Sequence, residues 1–502
     1  LADDLLEGRG TGTRGHEIAA RFVAERMRAL GLEPAGAGDS SYLQPVPFLR
    51  ARLDTARSAC ALVRGGEATP LALGRDVILS PDLLRDRWTT EAPLEFVGYG
   101  VSAPEFGYDD FAGVDVRGKV LVEFRGAPPR FPNDPRAYYS SARTKERLAA
   151  AQGAVGILTV MRPEDERRVP WARVVRQSAL PAMRWTDAAG APANTQALLE
   201  LGGTLSRSGA EAAFAGAPHT LAQAFADGDS SRPQAFPLVP TVRAVRVTER
   251  TRVTSPNVVG LLRGSDPKLA RECLVLSAHL DHLGIGVPVE GDSIHNGAYD
   301  NASGSAILLE LARAFAGLVP RPRRSLLFLS TTGEEKGLQG ADYFAQQPPP
   351  ADLEIVGDVN VDEVLMLGPI TTVVGFGAEH SSLGPTLARA ARDVGLTLAP
   401  DPRPAEVVFV RSDQYAFVQQ GIPAVFPVAA GDGSPEAGRQ FDEWERTRYH
   451  TPQDDLGQVF RWDEGARFAR LAFDCAWRVA GDPRRPTWNP GDYFGARFAP
   501  RR

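Results

Sequence analysis

Apolar and polar positions in the second half of the chain keep two rhythms. Cys273 to Ser277 (CLVLS), Ser325 to Ser330 (SLLFLS) and Leu353 to Asn360 (LEIVGDVN) are short apolar runs bounded by glycine and polar residues, the pattern of buried strands. The stretches between them, such as Ser305 to Phe315 (SAILLELARAF), carry apolar residues at helical spacing. A β–α–β–α alternation predicts an α/β fold, a mostly parallel central sheet flanked by helices, with ligands collected beyond the carboxyl ends of the strands.

The first half is organised differently. Residues 9–34 read as a glycine-rich entry and then a helix with Ala19, Phe22, Val23, Met27 and Leu30 on one face, stopped by Gly31. Roughly residues 36–90 give weak, mixed signals. Leu94 to Gly100 and Lys119 to Phe124 read as strands, Ser141 to Ala151 as a helix and Ala154 to Val160 as a strand. This predicts a smaller, β-rich α+β domain over 86–235, inserted between residues 1–85 and 236–502 of the main domain. The stretch 223–240 has the Ser, Asp and Pro content of a linker. Thr241 to Leu262 reads as two strands, and the tail from Asp482, rich in Pro and Arg, as a surface wrap.

The 502 residues suffice for two or three domains with a large core, and the net charge of −6 gives no sign of a nucleic acid or an anionic membrane as partner. No apolar run approaches the roughly 18 residues needed to span a bilayer. Cys60, Cys273 and Cys475 are too few and too scattered for a disulfide framework or a thiolate metal site, and Cys273, inside a predicted strand, reads as an inert core residue. The chain begins at Leu1 with no initiator Met, as if a preceding segment had been removed by processing or cloning, so no export signal can be read.

The candidate chemistry lies where the apolar runs end. The first runs into Ala-His279-Leu-Asp281, the second into Thr-Thr-Gly-Glu334-Glu335 and the third into Val361-Asp362; Asp300 opens a helix, and His450 stands in Tyr-His-Thr-Pro-Gln-Asp454. Each has an ordinary explanation alone: a solvated loop for His279, a helix N-cap for Asp300, surface acids for Glu334-Glu335. Together, three groups directly after strands and a fourth opening a helix point to a metal centre, and imidazole with carboxylate suits zinc. Alternate residues of an extended segment share a side, so Asp281 is placed to accept the second N–H of His279 and fix its tautomer. Glu334 and Glu335 point in different directions, so one acid is placed to bind metal while the other faces a metal-bound water.

The series HLD, GAYDNASG, TTGEEKGLQG, NVD and YHTPQDD resembles the cocatalytic zinc peptidases, the family of bacterial leucyl aminopeptidase and, more distantly, glutamate carboxypeptidase. The resemblance runs over about 240–480, and residues 9–34 resemble the family's opening helix. The inserted block, with GYGVSAPEFGYDDFAGVDVRGKVLVEFRG, resembles the protease-associated domain that several members carry. It implies two zinc ions bridged by Asp300, one completed by His279 and Asp362, the other by Glu335 and His450. It further implies Glu334 as general base, Asp281 as the orienter of His279, and Tyr449 as a donor to the developing oxyanion. Ser412-Asp413 corresponds to a segment near the substrate pocket, with Gln414 where His is frequent; Glu363 stands where Met is usual. His282, His295 and His380 match nothing and read as surface or loop residues.

The implied activity is a metallo-exopeptidase removing N-terminal residues from peptides, in a periplasmic or secreted setting. The alternatives are a carboxypeptidase, for which Arg411 is the one candidate cation, a one-zinc relative of the glutaminyl cyclase kind, and a non-catalytic, receptor-like binding protein. The full ligand set speaks against the last two.

Overall fold

The computed structural model describes residues 1–500 other than 39, 233 and 351. Residue 233 of the expected linker and 501–502 of the expected surface tail therefore lie outside the described residues. The chain divides into two compact units, one of residues 1–47, 253–404 and 408–502, the other of 48–252 with 405–407.

The first unit is built on α1 (Arg14–Ala29), β1 (Phe236–Leu262, of which the part from Val253 belongs here), β2 (Glu272–His279), α2 (Gly304–Ala316), β3 (Ser325–Thr331), α3 (Gln339–Gln346), β4 (Glu354–Asn360), β5 (Thr372–Phe376), α4 (Leu383–Asp393), β6 (Ala424–Ala429) and α5 (Trp462–Gly481). Its sheet runs β1–β3–β2–β4–β6–β5. The central four strands are parallel, and β1 and β5 pair antiparallel at the flanks. All of β3 is buried, as a strand covered by helices on both faces must be. Alternate residues of β2 serve different cores. Leu274 and Leu276 pack with α1, α2, α4 and α5. Cys273 and Val275 pack on the other face with Ala341 and Phe344 of α3 and with Phe417. Cys273 is thus a core residue, and burial pushes its thiol up to about 12.

The second unit is wider than residues 86–235. The weakly patterned stretch before it supplies strands that pair inside it: Ala59–Val63 lies antiparallel to Thr241–Val245, and Val77–Leu79 to Gly203–Leu205. Its centre is parallel, with Val120–Phe124 between Leu94–Phe96 and Gly156–Val160.

Three further expectations need correction. The segment read as a linker holds a helix, Leu221–Asp229, because Thr220 and Gln223 form a capping box and Leu221, Ala224 and Phe225 are buried. Thr241 to Leu262 is not two strands but part of one continuous strand. The tail is more than a surface wrap, since Tyr493–Phe498 is helical and wholly buried Phe494 packs on His380, Phe409 and Tyr415.

Candidate metal centre

The sheet order explains why distant residues meet. β2 lies between β3 and β4, with His279 opposite Thr331 and Ser277 opposite Asn360. The loops leaving the three strands therefore emerge side by side and carry His279, Glu334-Glu335 and Asp362. Asp300 comes from the turn that leads into α2. That turn is held by Asp454, which accepts the Tyr299 N–H at 3.0 Å and the Asp300 N–H at 3.1 Å. Since Asp454 lies four residues beyond His450, the same grip brings His450 to Asp300. His450 adopts φ +57°, a left-handed backbone that an ordinary side chain tolerates only where its surroundings enforce it.

All five sequence-predicted ligands converge. His279 Nε2 lies 2.9 Å from Asp362 Oδ1 and 3.2 Å from Asp300 Oδ1. His450 Nε2 lies 3.2 Å from Asp300 Oδ2 and 3.3 Å from Glu335 Oε2. The two oxygens of Asp300 thus face two separate sets of candidate ligands. Asp300 Oδ2 and Glu335 Oε1 are buried and accept no hydrogen bond. Buried carboxylate oxygens left unmatched are costly, whereas a cation between them satisfies both. The donor set and these unmatched atoms fit zinc.

Residues 257–476 match the family model described as peptidase family M28. The matched segment is the one that carries all five predicted ligands. Its sequence relatives include a "Probable zinc metalloprotease" of Leptosphaeria maculans, 34% identical over 263 residues, covering 46% of this chain and 58% of that protein. A protein of the same description from Pyricularia oryzae is 28% identical over 265 residues, covering 45% and 50%. The chain spans about half the length of the latter, 50%. In overall fold the chain is similar to the aminopeptidase from Aneurinibacillus sp. strain AM-1, at a TM-score of 0.55 and 20% identity, over 98% of this chain and 95% of that one.

Electrostatics at this cluster follow from crowding. Burial pulls the His279 imidazole down, but the charge of Asp362 and the contact with Asp300 outweigh it and hold it well above the usual histidine value. Burial pushes Asp300 up, yet His282, His279 and His450 around it hold it well below the usual carboxylate range. Glu334 is held well above that range by burial, opposed by His279 and reinforced by Glu335, Asp362 and Asp413. Tyr449 is raised by burial and by Glu363, and its ring stacks on His450 at 3.9 Å.

The surroundings of the ligands correct several expectations. The Asp281 carboxylate does not take the His279 N–H. It accepts from Thr11 Oγ1 at 2.7 Å and from the Glu334 N–H at 3.1 Å, while His279 Nδ1 faces the Asp281 main-chain carbonyl at 3.0 Å. Asp281 thus secures the Glu334 loop directly and His279 through its backbone. Gln414 is fully buried, donates to the Phe409 carbonyl at 2.7 Å and accepts from Asn360 at 3.0 Å, so it braces the pocket segment from beneath. Ser412 donates to Asp362 Oδ2 at 2.5 Å and orients that ligand.

His282, His295 and His380 are all buried, not on the surface, and His282 stands inside the ligand cluster. His380 instead faces Asp492 at 2.6 Å. Arg9 was missed altogether. Wholly buried, it donates to the carbonyls of Leu280 (2.8 Å), Asn296 (2.6 Å) and Gly297 (2.9 Å), tying together the loops that carry His279 and Asp300. The one signal for His282 is its place three residues after His279; for Arg9 there was none, because its partners are backbone carbonyls, most of them far away in sequence.

Proposed function

We propose that the M28 domain is a two-zinc exopeptidase that removes N-terminal residues from peptides. The observation that carries this reading is the division of Asp300, with Oδ1 toward His279 and Oδ2 toward His450. His279 and Asp362 would hold one ion and Glu335 and His450 the other, with Asp300 shared. When bound, the two zinc ions supply a water of lowered pKa and polarise the scissile carbonyl.

The chain's own residues do the rest. Glu334 takes the proton of the attacking water and returns it to the leaving amine. Burial beside other acids pushes its carboxyl above the usual range, and divalent cations beside it would lower it and leave it able to act as a base. The Glu334 N–H donated to Asp281 keeps the acid in place. Tyr449, fixed by its stack on His450, donates its hydroxyl to the developing oxyanion.

An excess of buried acid at the rim, Glu334 and Glu363, favours a free α-ammonium over a terminal carboxylate. Arg411, the candidate cation for a carboxypeptidase, is electrostatically engaged with Glu363 and Tyr449. We read residues 48–252 as a protease-associated domain that limits peptide size, and a periplasmic or secreted setting as the place of action. Among the described residues no helix is long and apolar enough to cross a membrane.

The test is hydrolysis of matched peptides with each end free or blocked. Cleavage of amidated peptides with a free N-terminus, lost on N-acetylation, is expected. The opposite pattern would establish a carboxypeptidase, and no cleavage of any peptide at saturating zinc would remove the peptidase reading.

A further inference from the structure

The loop after β2 carries a histidine to which the five-ligand arrangement gives no role. His282 is wholly buried. Its Nδ1 lies 2.7 Å from Glu335 Oε1 and 3.6 Å from Asp300 Oδ2, and His282, Asp300 and Glu335 each bring one such atom within 4.8 Å of the others. Yet neither ring nitrogen makes a hydrogen bond, and neither Asp300 Oδ2 nor Glu335 Oε1 accepts one. Two polar atoms 2.7 Å apart that miss each other in direction are not a donor–acceptor pair. Atoms brought so close from separate elements share a point of aim, as the ligands of one ion do when each stands about 2 Å from it.

The ring has little freedom to turn away. Gly297, at φ +58°, lays its backbone against the imidazole so closely that a Cβ there would come within 2.5 Å of His282 Cγ. The His282 N–H donates to the Arg9 carbonyl at 3.3 Å, so the buried arginine fixes the loop from behind. The His450 ring stands nearby, centroid to centroid 5.8 Å and inclined by 70°, with its Nε2 toward the other Glu335 oxygen at 3.3 Å.

We propose that His282 is a fourth protein ligand of the ion held by Asp300, Glu335 and His450. The inference rests on the two-ion reading above and makes the two sites unequal. Two imidazoles and two carboxylates close one of them. His279, Asp362 and Asp300 leave the other with three protein ligands. Closed four-ligand zinc sites retain their metal as structural elements, whereas three-ligand sites keep a position for water or substrate. One ion is therefore resident and tight, and the ion at His279 and Asp362 is the exchangeable one.

The experiment titrates zinc into the chelator-stripped full chain by calorimetry, for wild type, His282→Ala and His282→Asn. Wild type should show a tight and a weaker zinc. Both variants should lose affinity at the tight site by about tenfold or more, with the weaker site little changed. Asparagine keeps a hydrogen-bonding atom near the place of Nδ1, so it rescues a histidine that merely orients Glu335 and does not rescue a ligand. X-ray absorption of the wild-type two-zinc protein should count three imidazoles over the two ions.

Wild type that binds fewer than two zinc ions would sink the two-ion reading itself. Two ions with only two imidazoles, or an asparagine variant with wild-type affinity, would overturn the role of His282 and leave that reading standing. Should neither variant fold, the imidazole count on wild type decides alone.

Discussion

The two units bury ionisable groups in opposite ways. In residues 48–252 most buried acids meet a basic partner: Asp82 meets Arg246 at 2.8 Å and Arg85 at 3.2 Å, Glu95 meets Lys119 at 2.7 Å, and Glu123 meets Lys145 only at 3.4 Å. In the first unit three carboxylates and three imidazoles are gathered in one place, and several of their atoms remain unmatched. Both units pay the same desolvation cost. A charge taken out of water must be offset by an opposite charge, a proton or a bound ion. Pairing answers this in the second unit, and where it falls short, at Glu123 and Asp110, protons do. In the first unit the excess is of one sign and shaped around two points, which is what a pair of cations requires.

The strongest way to break this contrast is to remove its shared centre. Asp300→Ala takes a ligand from both sets, so activity should vanish and zinc content should fall at both sites together. A variant that keeps one full zinc equivalent at native affinity would show that Asp300 belongs to one set alone. The next effect separates chemistry from metal binding. Glu334→Gln keeps size and hydrogen bonding but cannot accept a proton, so kcat should fall by about a hundredfold or more with zinc content and melting temperature nearly unchanged. Glu335→Gln should lose activity through metal loss, partly restored by excess zinc. Near wild-type turnover in Glu334→Gln would place the base elsewhere.

Which parts of this contrast were legible in the sequence follows from their physics. The strands β2, β3 and β4 could be read because a strand buried on both faces is apolar throughout, and the residue beyond its carboxyl end inherits a position at the site. His279, Glu335 and Asp362 came from that rule and Asp300 from its place opening a helix; His450 came from the motif series. Residues 36–85 did not declare themselves because strands such as Glu67–Leu71, almost wholly exposed, lack the apolar alternation that marks a half-buried strand. His282 was hidden for a different reason. A histidine in a loop looks alike whether it faces solvent or a ligand cluster, and only the fold of Gly297 against its ring decides. Arg9 and Asp454 act on backbone carbonyls and N–H groups, which no pattern of side chains reveals.

Arg9 sharpens the comparison because it is a buried cation in the first unit whose side chain donates to backbone carbonyls and to no carboxylate among the described residues. Burial lowers it to about 10, opposed by the charges of Asp454, Asp300 and Asp281. It therefore does two things, anchoring loop carbonyls and offsetting part of the acid excess. Arg9→Met keeps the stem and removes both. It should destabilise the first unit by about 3–5 kcal/mol, the usual cost of stripping a buried charged group from its partners. Zinc should recover part of this loss, because the ions restore the missing positive charge. A variant as stable as wild type when metal-free would show that the loops hold without it.

The most local effect concerns the protons of the second unit. Burial raises Glu123 to about 7 despite Lys145, with Glu146 adding to the rise. Asp110 is also raised to about 7 by burial, although it accepts the Tyr99 and Val101 N–H groups at 3.1 Å and the Tyr108 hydroxyl at 2.8 Å. In the unfolded chain both acids titrate near about 4. Between about 4 and 7 the folded unit therefore holds more protons than the unfolded chain. Its stability is full below that window and declines as pH rises through it, by up to about 1.4 kcal/mol per group for each pH unit. Hydrogen exchange of the Val120–Phe124 amides, corrected for intrinsic rates, should show opening free energies that fall from pH 5 to pH 8. Glu123→Gln removes one of the two titrations and should shrink the fall. Opening energies that stay level, or rise with pH, would mean that these carboxylates are already ionised in the folded unit and that its charges are all met by pairing.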